Sequence, residues 1–191
     1  MTTFRDCHKE HGFLLEAYVA MSYLTKSLGK TKAQKLLMLA EIEYFAQFGT
    51  RLTELSYVSY DHGPFSVDLA AVYDDLIEDE RIECVTNGKW EGVKPTSNST
   101  TINIAKERLG VFQSVCKQFG NMDTAEIMRE VYRFTVYAST PFGQEIDFSI
   151  FTKETIKDQI PLEMITSSKE KQEEESRIKE MISKVSVPEF F

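Results

Sequence analysis

The stretch KAQKLLMLAEIEYFAQF, residues 32–48, decides the fold of this chain. Apolar residues fall on nearly every side of a helix drawn through it, and such a helix is usually buried by its neighbours. Gly49 follows directly and predicts a left-handed C-cap. Thr31 stands three residues before Gln34, which matches a capping box at the helix start. We therefore expect a central buried helix that ends at Phe48.

An amphipathic helix is predicted on the N-terminal side, in GFLLEAYVAMSYLTKSL at residues 12–28. Gly29 is expected to end it. The apolar stripe repeats at roughly helical spacing, which is typical of a helix with one buried face. The stripe comprises Leu15, Tyr18, Val19, Met21, Leu24 and Leu28.

On the C-terminal side, YDHGPFSVDLAAVYDDL at residues 60–76 predicts a second amphipathic helix. Gly63 fits a tight entry, and Pro64 has the backbone angle of a first helical turn. Asp61 and His62 resemble part of a catalytic pair, but adjacent side chains on extended backbone point apart. No nucleophile signature accompanies them. We interpret the pair as a turn. The predicted buried face consists of Leu69, Val72, Tyr73, Leu76 and Ile77.

A β-hairpin is predicted near residues 81–96, because Asn87-Gly88 lies between two β-capable runs. Two more helices should follow. The first uses an apolar face from Ala105 to Phe119, and the second begins at a capping box of Asp123 and Glu126. Pro141 is expected to end the second. The sequence thus predicts a mainly α, single compact helical domain over residues 1–150, with a small antiparallel β-hairpin. Residues 151–191 form a charged C-terminal extension, expected to be partly helical or mobile.

The overall charge excludes several classes of function. The 191 residues carry a net charge of -8, which repels phosphate backbones and makes direct nucleic-acid binding unexpected. The helix before the hairpin is acidic, so a winged-helix readout of DNA is not expected either. No apolar run approaches a membrane span. The polar N-terminus and three scattered cysteines favour a reduced, cytoplasmic protein.

The candidate metal and phosphate motifs are all incomplete. Cys7, His8 and His11 lack a second ligand cluster, and the acidic run at residues 73–80 lacks the ligand spacing of an EF-hand. SLGKTK at residues 27–32 lacks the upstream glycine of a phosphate loop. We expect no catalytic residue, no metal and no cofactor.

The order of these segments resembles the Panacea domain of SocA-like antitoxins. That family has a Leu-Leu helix with aromatic residues, then a glycine and a leucine, then Gly-Pro opening a helix with a Leu/Tyr pair. VYRFTVYASTPFGQEIDF at residues 131–148 is similar to the closing segment of some members. The resemblance spans about residues 11–150. The matching positions are Lys35, Leu36, Leu37, Ala40, Tyr44, Gly49, Leu52, Gly63, Pro64, Leu69 and Tyr73.

The resemblance implies a non-enzymatic domain that neutralises a toxin by binding it, and some members instead deliver the toxin to a protease. The acidic charge suits a basic toxin, because opposite charges accelerate encounter. A phage or mobile-element protein that binds a host or defence factor is the alternative. A hydrolase or metal enzyme built around His62 and the acidic helix is a weaker one. The predicted partner-binding residues are Tyr57, Tyr60, His62, Phe65 and Trp90.

Overall fold

The structure of the chain is a computed structural model that describes residues 4–26, 28–88, 90–99, 101–133, 137 and 140–150. It does not describe the side chains of residues 4–9, 87, 90 and 150. Within this part the fold is mainly α with two small antiparallel hairpins, as predicted for the fold class, although only one hairpin was expected. In chain order the elements are α1 Phe4–Leu24, α2 Lys30–Phe48, β1 Val58–Tyr60, β2 Gly63–Phe65, α3 Val67–Glu78, β3 Ile82–Asn87, β4 Trp90–Pro95, α4 Lys106–Phe119 and α5 Thr124–Tyr132.

Helix α2 is the buried centre of the domain, as predicted. Every side chain from Lys32 to Glu43 is buried, and α3, α4 and α5 pack against the helix. Gly49 is the predicted left-handed C-cap, with φ 74° and its N–H donating to the carbonyl of Phe45 at 2.7 Å. The predicted capping box is wrong. The N-cap is Gly29, and the amide of Gln34 binds another segment instead.

Helix α1 begins earlier and ends earlier than predicted. It stops at Leu24, and the chain then runs to Leu28, whose side chain is fully buried outside any helix. The carbonyl of Leu28 accepts a hydrogen bond from the N–H of Val93 in β4 at 2.9 Å. This bond to the hairpin stabilises an extended backbone at Leu28. The residue is therefore a core residue, as its apolar character indicated, but not a helical one.

The prediction that Gly63-Pro64 opens a helix is wrong. These residues form β2, which pairs with β1 so that Tyr60 faces Gly63 and Ser59 faces Pro64. Gly63 has φ +88°, which is incompatible with a right-handed helix. Helix α3 begins only at Val67. Asp61 and His62 form the turn between the strands, so the predicted turn is confirmed. The predicted buried face of α3 is also confirmed, with Ile77 partly buried beside Leu69, Val72, Tyr73 and Leu76.

The second hairpin and the later helices follow the sequence closely. In β3–β4, Asn87 pairs with Trp90 across a turn in which Gly88 has φ 65°. The capping box of Asp123 and Glu126 is complete, because each side chain accepts from the other residue's backbone N–H at 2.8 Å. The predicted continuation of α5 toward Pro141 lies partly outside the described residues.

The segment at residues 140–150 packs along the open edge of β1. The carbonyl of Ser59 accepts from the N–H of Gly143 at 2.7 Å, and the N–H of Ser59 donates to the carbonyl of Gln144 at 2.9 Å. The N–H of Ile146 donates to the carbonyl of Tyr57 at 2.8 Å. The first hairpin therefore has its β1 edge covered. The predicted C-terminal extension, residues 151–191, lies outside the described residues.

Among the helices that the structure describes, none combines the length and the apolar character needed to cross a membrane.

Candidate protein-binding surface

Two neighbouring polar residues of α2 fix the first hairpin and the start of α3. The Nζ of Lys35 donates to the carbonyl of Pro64 at 2.7 Å. The amide of Gln34 binds both backbone groups of Ser66, donating to its carbonyl at 2.8 Å and accepting from its N–H at 2.9 Å. All of these groups are buried, where a hydrogen bond is costly to lose. The hairpin is thereby held rigidly on the central helix.

A third polar residue of α2, Glu41, holds the connector that leads into this hairpin. Its side chain is 1% exposed and accepts from the N–H groups of Leu52 at 2.9 Å and Thr53 at 3.1 Å, and from the Thr53 hydroxyl. Arg51 lies at 3.4 Å. Burial raises the pKa of Glu41, and the charge of Arg51 followed by the hydrogen bonds opposes this. The connector lacks secondary structure, and its backbone N–H groups bind the Glu41 carboxylate instead.

Around the hairpin lie four aromatic side chains that we call the aromatic surface: Tyr60 with its neighbours Phe65 and Phe142, and Tyr132, which is connected to Tyr60 through Tyr137. The ring centroid of Tyr60 lies 5.4 Å from that of Phe142, in a stacked arrangement, and 6.0 Å from that of Phe65. Tyr60 is 52% exposed, Phe142 64% and Tyr132 44%, whereas Phe65 is half-buried. Monomeric proteins rarely expose contiguous apolar groups of this kind without a binding role.

The buried residue Tyr137 connects Tyr60 with Tyr132 within the aromatic surface. Its hydroxyl donates to the carbonyl of Tyr60 at 3.3 Å and lies 3.2 Å from the hydroxyl of Tyr132. The rings of Tyr132 and Tyr137 meet edge to face at 4.7 Å. Burial, followed by the hydrogen bond to Tyr132, raises the pKa of Tyr137 to about 12. This contact links α5 to the hairpin and keeps the exposed rings in one place.

The structure brings three of the five predicted partner-binding residues together and separates the other two. Tyr60, His62 and Phe65 surround one cavity at the hairpin. Tyr57 is fully buried and packs on Phe148, so its side chain is not available on this surface. Tyr57 was predicted as a partner-binding residue from its place in an aromatic connector, and that pattern gives no signal of which rings face inward. The side chain of Trp90 lies outside the described residues.

The cavity at the hairpin has a volume of about 190 Å³. Its lining residues come from α1, α2, α3 and the first hairpin. Buried polar residues line it, among them Tyr18, Gln34 and Lys35, and the hydroxyl of Tyr18 has no hydrogen-bond partner in the described part of the chain. At the rim, Lys30 lies over the ring of Tyr73 at 4.0 Å and pairs with Asp74 at 3.2 Å.

Burial sets the electrostatic character of the cavity. Lys35 is 1% exposed, and burial lowers the pKa of its amine to about 8. Burial also raises the pKa of Tyr18, with smaller contributions from Tyr73 and Cys84. Near neutral pH the lysine is therefore still mostly charged, and the tyrosine is a neutral donor. The cavity combines apolar walls with one buried cation.

The lowered pKa of Lys35 predicts how stability changes with pH. Between pH 8 and pH 10 the unfolded chain still binds the lysine proton that the folded chain has lost, so raising the pH favours folding. We expect wild type to gain about 2 kcal/mol of stability relative to Lys35→Met between pH 7 and pH 10. Urea unfolding of both proteins at several pH values measures this gain. A stability difference that does not change with pH would contradict the lowered pKa.

The rest of the described chain presents no assembled catalytic or metal site. Asp61 and His62 are both exposed in the hairpin turn. His11 instead pairs with Asp75 at 2.9 Å on the surface. No group of three or more His, Cys, Asp or Glu residues that could hold a metal ion occurs within the described ranges.

Gln34, Lys35 and Glu41, the buried residues that hold the hairpin and its connector, were not predicted from the sequence. A signal for them existed, because a polar residue in a helix that is apolar nearly all round must find a buried partner. The sequence interpretation also missed Tyr132 and Phe142, which come to Tyr60 only through the tertiary fold. No periodic pattern in the sequence marks either of them.

The fold defines the class of protein as a small, mainly α domain with a hairpin fixed to a buried central helix. The family model for the antitoxin SocA-like, Panacea domain matches residues 34–136, a little over half of the chain. The chain belongs to this family of SocA-like antitoxins. Neither the curated proteins nor the solved structures contain a match to it. The matched segment begins at Gln34, one of the residues that hold the first hairpin.

Proposed function

We propose that this protein neutralises a toxin by binding it stoichiometrically through the aromatic surface. The observation that carries the proposal is the group of Tyr60, Phe65, Tyr132 and Phe142, in which Phe142 stacks on Tyr60 and the hairpin that bears Tyr60 and Phe65 is fixed to α2. Aromatic residues dominate the binding energy of protein interfaces. A surface that is ordered before binding loses less conformational entropy when the partner arrives. Membership of an antitoxin family supports a toxin as the partner.

The charge of the domain favours a basic toxin. The net charge is -8, and two of its acidic residues, Asp61 and Asp68, are exposed close in sequence to the rings of Tyr60 and Phe65. Opposite charges at the rim of an interface raise the association rate and make binding sensitive to salt. Because a toxin is bound as a whole protein, its basic surface meets this acidic rim while its apolar residues cover the rings.

Tyr60→Ala and Phe142→Ala test the proposal directly. Each removes an exposed ring from the centre of the aromatic surface, so we expect each to weaken toxin binding about tenfold and to reduce the rescue of growth. The measurement is co-expression with the product of the adjacent gene, followed by calorimetry on the purified complex. Failure of wild type to rescue growth or to form a complex would overturn the proposed function.

Phe48→Ala is the matched control. Phe48 is 42% exposed and packs on Tyr44, but it lies at the far end of α2, about 20 Å along the helix from Lys35. We expect its substitution to leave toxin binding within about twofold. An equal loss from Phe48→Ala and Tyr60→Ala would place the interface elsewhere. Trp90→Ala is included because Trp90 remains a predicted contact.

Delivery of the toxin to a protease is the other mode of action that the family suggests. The two modes differ in the fate of the toxin, because masking leaves its amount unchanged and delivery removes it. Following the amount of toxin after protein synthesis is stopped, with and without the antitoxin, distinguishes them. A constant amount of toxin in rescued cells supports masking.

A further inference from the structure

We propose that the cavity beneath the first hairpin receives an acidic side chain of the bound toxin, whose carboxylate pairs with Lys35. This inference rests on the proposed function and goes further, because it names the chemistry of the contact. It concerns the cavity lined by Tyr18, Lys35, His62 and Phe65, among others, at the edge of the aromatic surface.

The ammonium group of Lys35 has no ion-pair partner among the described residues. A lysine ammonium has three N–H donors, and the structure shows one of them used, in the bond to the carbonyl of Pro64. No carboxylate of the described residues forms an ion pair with Lys35, and burial alone lowers its pKa. An unpaired buried charge is costly. A carboxylate supplied from outside the chain would pair this charge and accept the remaining donors.

The hydroxyl of Tyr18 likewise lacks a hydrogen-bond partner among the described residues. It is buried, and the residue Tyr18 belongs to the lining of the same cavity. A neutral hydroxyl and an ammonium group are both donors to a carboxylate, and bonds to a charged acceptor are about twice as strong as neutral ones. The residues that line the cavity therefore carry donors of two kinds, and Asp74, next in sequence to the lining residue Tyr73, is already paired with Lys30.

The size of the cavity and the acidic residues near it favour a single carboxylate over a polyanion as the occupant. The cavity volume of about 190 Å³ is far above the ~15 Å³ that one water needs. It can therefore hold a short side chain. A nucleic acid or another polyphosphate would instead meet Asp61, Asp68 and Asp74, which are exposed and each adjacent in sequence to a residue that lines the cavity. An isolated carboxylate on a basic protein avoids this repulsion and still reaches the buried cation.

The cavity and the aromatic surface lie next to each other. Tyr60 and Phe65 belong both to the aromatic surface and to the lining of the cavity, so a protein that covers these rings also covers the opening. Desolvation of the opening would strengthen the pairing, because charges interact more strongly away from water. The aromatic contacts and the buried ion pair would thus form together.

The test compares two buried lysines of α2. Lys32 resembles Lys35 in being buried and in donating to one backbone carbonyl, that of Gly120 at 2.7 Å, but it does not line the cavity. We expect Lys35→Met to weaken binding of the purified toxin at least tenfold and Lys32→Met less than threefold. Tyr18→Phe, which removes one oxygen, should weaken it about threefold. Equal losses from Lys35→Met and Lys32→Met would overturn the cavity contact.

The partner side is tested by changing each Asp and Glu of the toxin to Asn or Gln. One such substitution should weaken binding as much as Lys35→Met, and combining the two should cause little further loss. Absence of any such position would overturn the inference and leave a free anion as the occupant. If Lys35→Met does not fold, Tyr18→Phe and the toxin substitutions decide alone. Absence of binding by wild type overturns the proposed function together with this inference, whereas binding without these effects overturns only the inference.

Discussion

Glu41→Ala is expected to lower the free energy of unfolding by about 3–5 kcal/mol. The carboxylate of Glu41 accepts from the N–H groups of Leu52 and Thr53 and from the Thr53 hydroxyl, and all three donors belong to buried residues. Alanine supplies no acceptor, and each buried donor left unsatisfied costs about 1–3 kcal/mol. Relief from burying the carboxylate offsets part of this sum. The shift in the urea unfolding midpoint measures the effect.

Glu41→Gln and Glu78→Ala bracket this result. Glutamine keeps one acceptor oxygen but turns an amide N–H₂ toward a backbone donor, so we expect a loss of about 1–3 kcal/mol. Glu78 is exposed at the end of α3, and its substitution should change stability by less than about 0.5 kcal/mol. If Glu41→Ala were no worse than Glu78→Ala, the connector would not depend on the buried carboxylate.

Gly63→Ala is expected to lower the free energy of unfolding by about 2–4 kcal/mol and to weaken toxin binding as well. Gly63 has φ +88°, a conformation that costs a residue with a side chain about 1–2 kcal/mol. A Cβ at this position would also lie 2.9 Å from Cε and 3.3 Å from Nζ of Lys35. Lys35 is buried and bound to Pro64, so it cannot move aside freely.

Gly88→Ala separates the two causes. Gly88 also has a positive φ, of 65°, but a Cβ there meets nothing within 4 Å. Its substitution should therefore cost only about 1 kcal/mol, the backbone contribution. The excess loss at Gly63, measured by urea unfolding, reports the collision with Lys35. Equal losses at the two glycines would show that Lys35 accommodates the methyl group without cost.

The central helix, the second hairpin and α5 could be predicted because their signals are local. An apolar run ending in Gly49, an Asn87-Gly88 pair and an Asp123-Glu126 capping box each act within a few residues. The Gly63-Pro64 pair was misread because the same dipeptide suits a helix start and a strand after a tight turn. The decision between the two came from Gln34 and Lys35, about thirty residues away in sequence.

The candidate site was predicted less completely than the fold. Of the residues predicted to bind a partner, Tyr60, His62 and Phe65 lie around one cavity and Tyr57 lies in the core, while Phe142 was not predicted. Whether a ring in a connector faces solvent depends on which distant segment packs over it. Here residues 140–150 cover one edge of the hairpin and bring Phe142 to Tyr60. No pattern within the connector contains that information.

The sequence by itself determined that the chain forms a mainly α domain around residues 32–48, because apolar helix faces must be buried and helix caps act within a few residues. It also determined the acidic exterior, because charged side chains remain at the surface. Only the tertiary structure decided that Gly63-Pro64 is a strand, that Lys35 is a buried cation beneath it and that four aromatic rings share one surface. The physical reason is that buried polar groups must be satisfied, and their partners lie in segments far apart along the chain. Lys35 donates such a hydrogen bond, Glu41 accepts several, and Gln34 does both, and these bonds hold the distant segments in place.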